Sequence, residues 1–139
     1  MAEKIGIEAK FLESIELIEL AAKIIAVKDD VAHVDVSEVL FLKEIETIPR
    51  AAARCYALFN HPVKFFTEKK FCIVFYESNI DYFTEKQRAI LMYHELKHIP
   101  LIGNKLVKHS IEDFYEVLQM GIDWSNNGAD VPDILEVNP

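Results

Sequence analysis

The sequence is poor in glycine, cysteine and proline, and it has no excess of basic residues. Its 139 residues include 4 Gly, 2 Cys and 5 Pro, and the formal net charge is −8. The two cysteines lack C-x-x-C spacing, which favours reduced thiols over a disulfide framework. The scattered basic residues argue against binding to nucleic acid, whose phosphates need a positive face, and against an anionic membrane surface.

Long apolar runs are also missing. No stretch approaches 18 consecutive apolar residues, so the sequence predicts no transmembrane helix. The first residues lack the basic segment and continuous apolar stretch of a signal peptide, so we expect a cytoplasmic protein. Hydrophobic residues make up 51% and charged residues 27%, as in soluble globular proteins. Without internal repeats or linkers, the chain is expected to form one domain over residues 1–139.

The first segment predicts an amphipathic helix over residues 8–27. Charged residues fall opposite the apolar ones with the 3.6-residue period of a helix. The sequence Lys28-Asp29-Asp30 is expected to end this helix. The apolar positions that define the predicted buried face are Phe11, Leu12, Ile15, Ile18, Ala22 and Ile25.

Three strand-like runs follow, over residues 33–42, 52–59 and 71–76. The third is β-branched and aromatic almost throughout and is the strongest strand prediction. The second contains several alanines that would also suit a helix. Asn60-His61-Pro62 indicates a turn between the second and third runs.

Two capped helices are predicted in the second half of the chain. Thr84 and Gln87 form a capping box that opens a helix running to about His98, which Pro100 ends. A second helix is expected from Ser110 to about Met120. The predicted fold is α+β: a small antiparallel or mixed sheet of about three strands, the N-terminal helix, the helix opened by Thr84, and a C-terminal helix.

The most informative motif lies inside the helix that Thr84 opens. Residues 94–98 read His-Glu-Leu-Lys-His, which is the H-E-x-x-H pattern. Positions i and i+4 share one helix face, so His94 and His98 can reach one metal ion, for which we predict Zn²⁺. Glu95 is placed to hold a metal-bound water and take its proton. The motif therefore predicts a zinc-dependent hydrolase, with peptides or proteins as the expected substrates.

A catalytic zinc site needs a third protein ligand. A metzincin would place glycine and histidine where this chain has Leu101 and Asn104, so that class is excluded. We predict His109 as the third ligand, because a turn-like loop after Pro100 could bring it back to the metal. Glu112 and Glu116 are the alternatives, and either could instead orient an imidazole from outside the metal's coordination shell.

Other residues near the motif have weaker predicted roles. Tyr115 and Tyr93 could donate a hydrogen bond to a tetrahedral intermediate, although a tyrosine in such a position is usually part of the core. His33 and His61 are interpreted as structural, and Lys97 is expected to extend its ammonium group to solvent. An exposed edge of the strand at 71–76 could pair with an extended peptide substrate.

Residues 75–83, the capped helix with its motif, and His109 ahead of a Glu/Asp-Phe helix together resemble the small metallopeptidases of archaea, bacteria and phages. These are compact zincin-like domains, similar in layout to SprT-like proteins. The resemblance extends from about Val34 to Tyr115 and implies a zincin-like fold.

The resemblance makes His94, His98 and His109 the zinc ligands and Glu95 the general base. Many relatives have an aspartate directly after the third histidine, where this chain has Ser110. An alternative function is a zinc-binding regulatory or interaction module that keeps the scaffold with little or no catalysis. A metal-free scaffold whose helix binds a partner is a third possibility.

Overall fold

The described part of the chain is an α+β structure in which two helices pack against a four-stranded sheet. A computed structural model describes residues 11–44, 51–58, 68–103, 105–108 and 133–135. The elements in chain order are β1 (Phe11–Glu13), α1 (Ile15–Val27), β2 (Val39–Glu44), β3 (Ala53–Ala57), β4 (Phe71–Tyr76) and α2 (Glu85–Leu96).

The sheet is mixed, with the spatial order β1-β2-β4-β3. β1 pairs antiparallel with β2, β2 pairs parallel with β4 (Val39 opposite Phe71), and β3 pairs antiparallel with β4 (Ala57 opposite Phe71). The mixed sheet is confirmed, but four strands replace the predicted three. The additional strand is β1, whose residues fall within the predicted first helix because they fit its helical period.

β4 is an interior strand, and all six of its residues are buried. Its backbone is paired with β2 along one edge and with β3 along the other. The prediction that an edge of residues 71–76 could accept a peptide is therefore wrong, because both edges already carry neighbouring strands. The continuous apolar run that made this strand easy to recognise is typical of a strand covered on both faces.

α1 begins later than predicted and buries a different face. Ser14 caps it, its Oγ accepting from the Leu17 amide at 3.2 Å. The buried positions are Leu17, Ala21 and Ile24, whereas Ile15 and Ala22 of the predicted face are exposed. The segment is apolar on more than one side, so the spacing of its apolar residues is compatible with burial of either of two helix faces.

α2 confirms the predicted capping box. Thr84 Oγ1 accepts from the Gln87 amide at 3.2 Å, and the Gln87 side chain accepts from the Thr84 amide at 2.8 Å. Arg88 makes a two-pronged ion pair with Glu77 at 3.0 and 2.7 Å, which ties the start of α2 to the end of β4. The regular helix ends at Leu96, two residues before the predicted His98.

The two faces of the sheet carry separate apolar clusters. On the helix-covered face, side chains from α1 and α2 pack with those of Phe41, Ile73 and Phe75. The other face holds a smaller cluster built around Cys72 and Val74. Neither described helix has the length and apolar character needed to cross a bilayer. The predicted helix at 110–120 lies outside the described residues.

The predicted and the observed rotation of α1 about its axis bury different side chains, so they predict different losses of stability when those side chains are truncated. Ile24 is 0% exposed and Ile15 is 74% exposed. Ile24→Ala should lower the free energy of unfolding by about 2–5 kcal/mol, because it removes buried methyl groups and leaves a cavity. Ile15→Ala should change it by no more than about 0.5 kcal/mol. Denaturant unfolding of both variants measures the difference, and equal losses would contradict the observed rotation.

Candidate metal centre

The described residues bring three potential metal-binding side chains together at the end of α2. One ligand atom from each of His94, Glu95 and His98 lies within 4.8 Å of the others. His94 Nε2 is 3.8 Å from Glu95 Oε2, and the two imidazole ring centroids are 5.2 Å apart. Two imidazoles and a carboxylate at this spacing suit a borderline divalent cation such as zinc.

His98 is held in one tautomer by the loop that follows α2. Its Nδ1 lies 2.7 Å from the carbonyl oxygen of Val107, and its own carbonyl accepts from the Val107 amide at 2.7 Å. Because a carbonyl oxygen can only accept, Nδ1 carries the proton and donates. In a neutral ring the lone pair is then on Nε2, the state needed to bind a metal.

Glu95 is a buried carboxylate near the end of α2. Only 3% of the residue is exposed. Burial raises the pKa of the Cys55 thiol on β3 well above its usual value, and the negative charge of Glu95 raises it further. This electrostatic interaction indicates that the carboxylate of Glu95 lies near Cys55 of β3.

Several predicted site residues cannot be compared with this geometry. His109, Glu112, Tyr115 and Glu116 lie outside the described residues, and so does His61. Their assigned roles therefore stay predictions. The chain before them is described as far as Lys108.

Three other residues near the motif have structural contacts. Lys97 does not extend to solvent as predicted: its side chain is 12% exposed, and Nζ donates to Asp30 Oδ2 at 2.8 Å. The Tyr93 hydroxyl donates to the same oxygen at 2.6 Å. His33 Nε2 donates to the Ile99 carbonyl at 2.8 Å, which agrees with its structural interpretation.

Sequence reasoning missed the contributions of Asp30, Cys55 and Val107. Asp30 was interpreted only as part of a helix-ending sequence, and Val107 contributes backbone atoms that carry no sequence signal. Cys55 lies on the strand that was least certain from its composition. Asp30 and Cys55 interact with residues of α2 that are distant in sequence, so no local pattern could have identified them.

Comparison with known proteins supports a metal-dependent peptidase. The chain matches the family model described as "Putative phage metallopeptidase" over residues 9–137. The chain belongs to this family. No curated protein and no solved structure matches it. Membership confirms the metallopeptidase resemblance and implies a metal ion, and the His94–Glu95–His98 cluster of this family member is a site that could hold one.

The proximity of Glu95 and Cys55 can be tested with a thiol reagent. Glu95→Gln removes a negative charge without changing the side-chain shape, so the pKa of Cys55 should fall and its alkylation should accelerate. Cys72 is an internal control, because burial alone raises its pKa to about 12. Iodoacetamide labelling in the presence of a chelator, followed by mass spectrometry at each cysteine, measures both rates. An unchanged ratio of the two rates would contradict the proximity.

Proposed function

We propose that the protein is a zinc-dependent peptidase in which His94 and His98 bind the metal and Glu95 is the general base. The observation that carries the proposal is the convergence of these three side chains within 4.8 Å. The hydrogen bond from His98 Nδ1 to Val107 adds support, because it selects the tautomer that offers Nε2 to a metal. Membership of a metallopeptidase family agrees with this chemistry.

His109 is proposed as the third ligand. The chain has returned to His98 by Val107, whose amide donates to the His98 carbonyl and whose carbonyl accepts from the His98 side chain. Val107 precedes His109 by two residues, and consecutive Cα atoms are about 3.8 Å apart, so the length of the chain between them is compatible with His109 as a ligand. Glu112 and Glu116 remain the alternatives for this position.

In the proposed reaction the metal and Glu95 have different roles. Zinc bound here would polarise the scissile carbonyl and make water a better nucleophile at neutral pH. Glu95 accepts a proton from the attacking water and delivers it to the departing amine. Burial of Glu95 keeps bulk water away from the carboxylate. Tyr115 is proposed as a hydrogen-bond donor to the tetrahedral intermediate.

The outer edge of β3 is proposed as the surface where an extended peptide substrate binds. Within the described part of the chain, β3 is the last strand of the sheet on this side. The Ala52 carbonyl accepts from the Tyr76 amide of β4 at 3.0 Å, and the Leu58 amide donates to the carbonyl of Lys70, just before β4, at 2.8 Å. By the alternation of antiparallel pairing, the backbone groups of Ala53, Cys55 and Ala57 point outward. A peptide paired with them would run beside Glu95.

Glu95→Gln separates catalysis from metal binding. We expect peptide hydrolysis to fall by about 10²–10⁴-fold, because the general base is lost, while zinc content stays near one per chain. His98→Ala should instead lower the zinc content itself. The measurements are cleavage of a peptide library, with and without chelator, and elemental analysis of the purified protein.

The matched control is Glu85→Gln, which changes an exposed glutamate in the first turn of the same helix. It should leave both cleavage and zinc content unchanged. Unaltered hydrolysis in Glu95→Gln, or loss of its zinc, would refute the assigned role. Zinc binding by the wild-type protein without cleavage of any peptide would favour the regulatory module.

The β3 edge can be tested through the backbone. Ala53→Pro removes one outward-pointing amide and is compatible with an edge strand. For a peptide that the wild-type protein cleaves, we expect KM to rise several-fold with zinc affinity unchanged. Ala53→Ser keeps the amide and should leave KM near the wild-type value. Equal KM values in the two variants would argue against pairing at this edge.

A further inference from the structure

The turn that carries His98 lies beyond the regular part of α2. The Lys97 amide still bonds to the Tyr93 carbonyl four residues earlier, at 3.0 Å. The His98 and Ile99 amides instead bond to carbonyls three residues earlier, each at 3.1 Å. This is a tightened 3₁₀ turn, whose hydrogen-bond geometry is poorer than that of an α-helix. The α-helix alone therefore does not hold His98 in register with His94.

The segment after α1 contacts this turn on both sides of His98. Asp30 Oδ2 accepts from Lys97 Nζ at 2.8 Å, just before His98. His33 Nε2 donates to the Ile99 carbonyl at 2.8 Å, just after it. Two side chains from one short connection thus bracket His98.

Asp30 also holds the residue that precedes the other histidine. The Tyr93 hydroxyl donates to Asp30 Oδ2 at 2.6 Å, and only 3% of Tyr93 is exposed. The ammonium groups of Lys28 and Lys97 lie 5.8 and 5.6 Å from the Tyr93 ring centroid, within the range of a cation–π contact. One carboxylate oxygen therefore links the residues directly before His94 and His98.

We propose that Asp30 and His33 are positioning residues that pre-organise the His94–His98 pair for its metal ion. Neither belongs to the cluster of potential ligands among the described residues. Asp30 acts through the side chains of Lys97 and Tyr93, and His33 acts through the Ile99 carbonyl. A turn that is already ordered before the metal binds lowers the conformational free-energy cost of binding, so the metal binds more tightly. This inference rests on the proposed metal centre and adds to it the residues that set its affinity.

The chain offers a matched control at the other end of α2. The Glu77–Arg88 ion pair also ties a connecting segment to this helix, at 2.7 and 3.0 Å. Arg88 comes six residues before His94, about 9 Å along the helix axis. Loss of this pair should loosen α2 without loosening the turn around His98.

The test compares Asp30→Ala with Glu77→Ala, using Co²⁺ as a spectroscopic probe for the metal. Asp30→Ala should weaken Co²⁺ binding about 10-fold, the scale found for residues that support metal ligands from a distance. It should also alter the visible absorption bands of the saturated Co²⁺ protein. Glu77→Ala should lower the thermal midpoint of the metal-free protein while leaving affinity and spectrum unchanged.

His33 supplies a second pair of variants that does not depend on folding of Asp30→Ala. His33→Leu removes the donor to Ile99 and should weaken Co²⁺ binding several-fold. His33→Gln keeps an N–H donor on its side-chain amide and should restore affinity towards the wild-type value. A loss of affinity in His33→Leu that His33→Gln does not reverse would count against the role of His33.

The outcomes separate this inference from the metal centre itself. Equal Co²⁺ affinities and spectra in Asp30→Ala and Glu77→Ala would overturn the positioning role while leaving the centre in place. A wild-type protein that binds neither Co²⁺ nor Zn²⁺ would overturn the centre, and the positioning role with it.

Discussion

The burial of α2 against the sheet and α1 is the constraint on which the candidate centre depends. Ile90, Met92 and Leu96 are fully buried in the main core, and this sets the rotation of the helix. Each residue turns an α-helix by about 100°, so the remaining directions available to His94 and Glu95 follow from that packing. A helix rotated by one residue would place the motif's polar side chains against the apolar face of the sheet, at a large desolvation cost.

Burial also determines the electrostatic environment of Glu95, the proposed general base. A carboxylate that is 3% exposed is stable only with compensating partners, and the nearby imidazole or a bound cation can provide that compensation. The same burial keeps the Cys55 thiol protonated beside it, because two negative charges in this pocket would repel each other. The site therefore places a buried carboxylate beside a thiol whose pKa is raised.

Local patterns in the sequence predicted those parts of the fold that depend on local interactions. The Thr84 capping box and the strand at 71–76 were both recognisable, because caps and apolar strands use residues close in sequence. The rotation of α1 was not, since its apolar residues fit more than one face and only packing on the sheet selects Leu17 and Ala21. The position of residues 71–76 was not recognisable either: they form an interior strand because they pair with strands distant in sequence, whereas an exposed edge was predicted.

The sequence alone determined the chemical identity of the candidate centre: two imidazoles one helical turn apart and a carboxylate next to the first of them. Only the tertiary structure decided how those groups are held in position. The bond from His98 Nδ1 to the Val107 carbonyl selects a tautomer, and Asp30 and His33 hold the turn around it. The physical reason is that these contacts join residues far apart in the chain or use backbone atoms, which every residue type possesses.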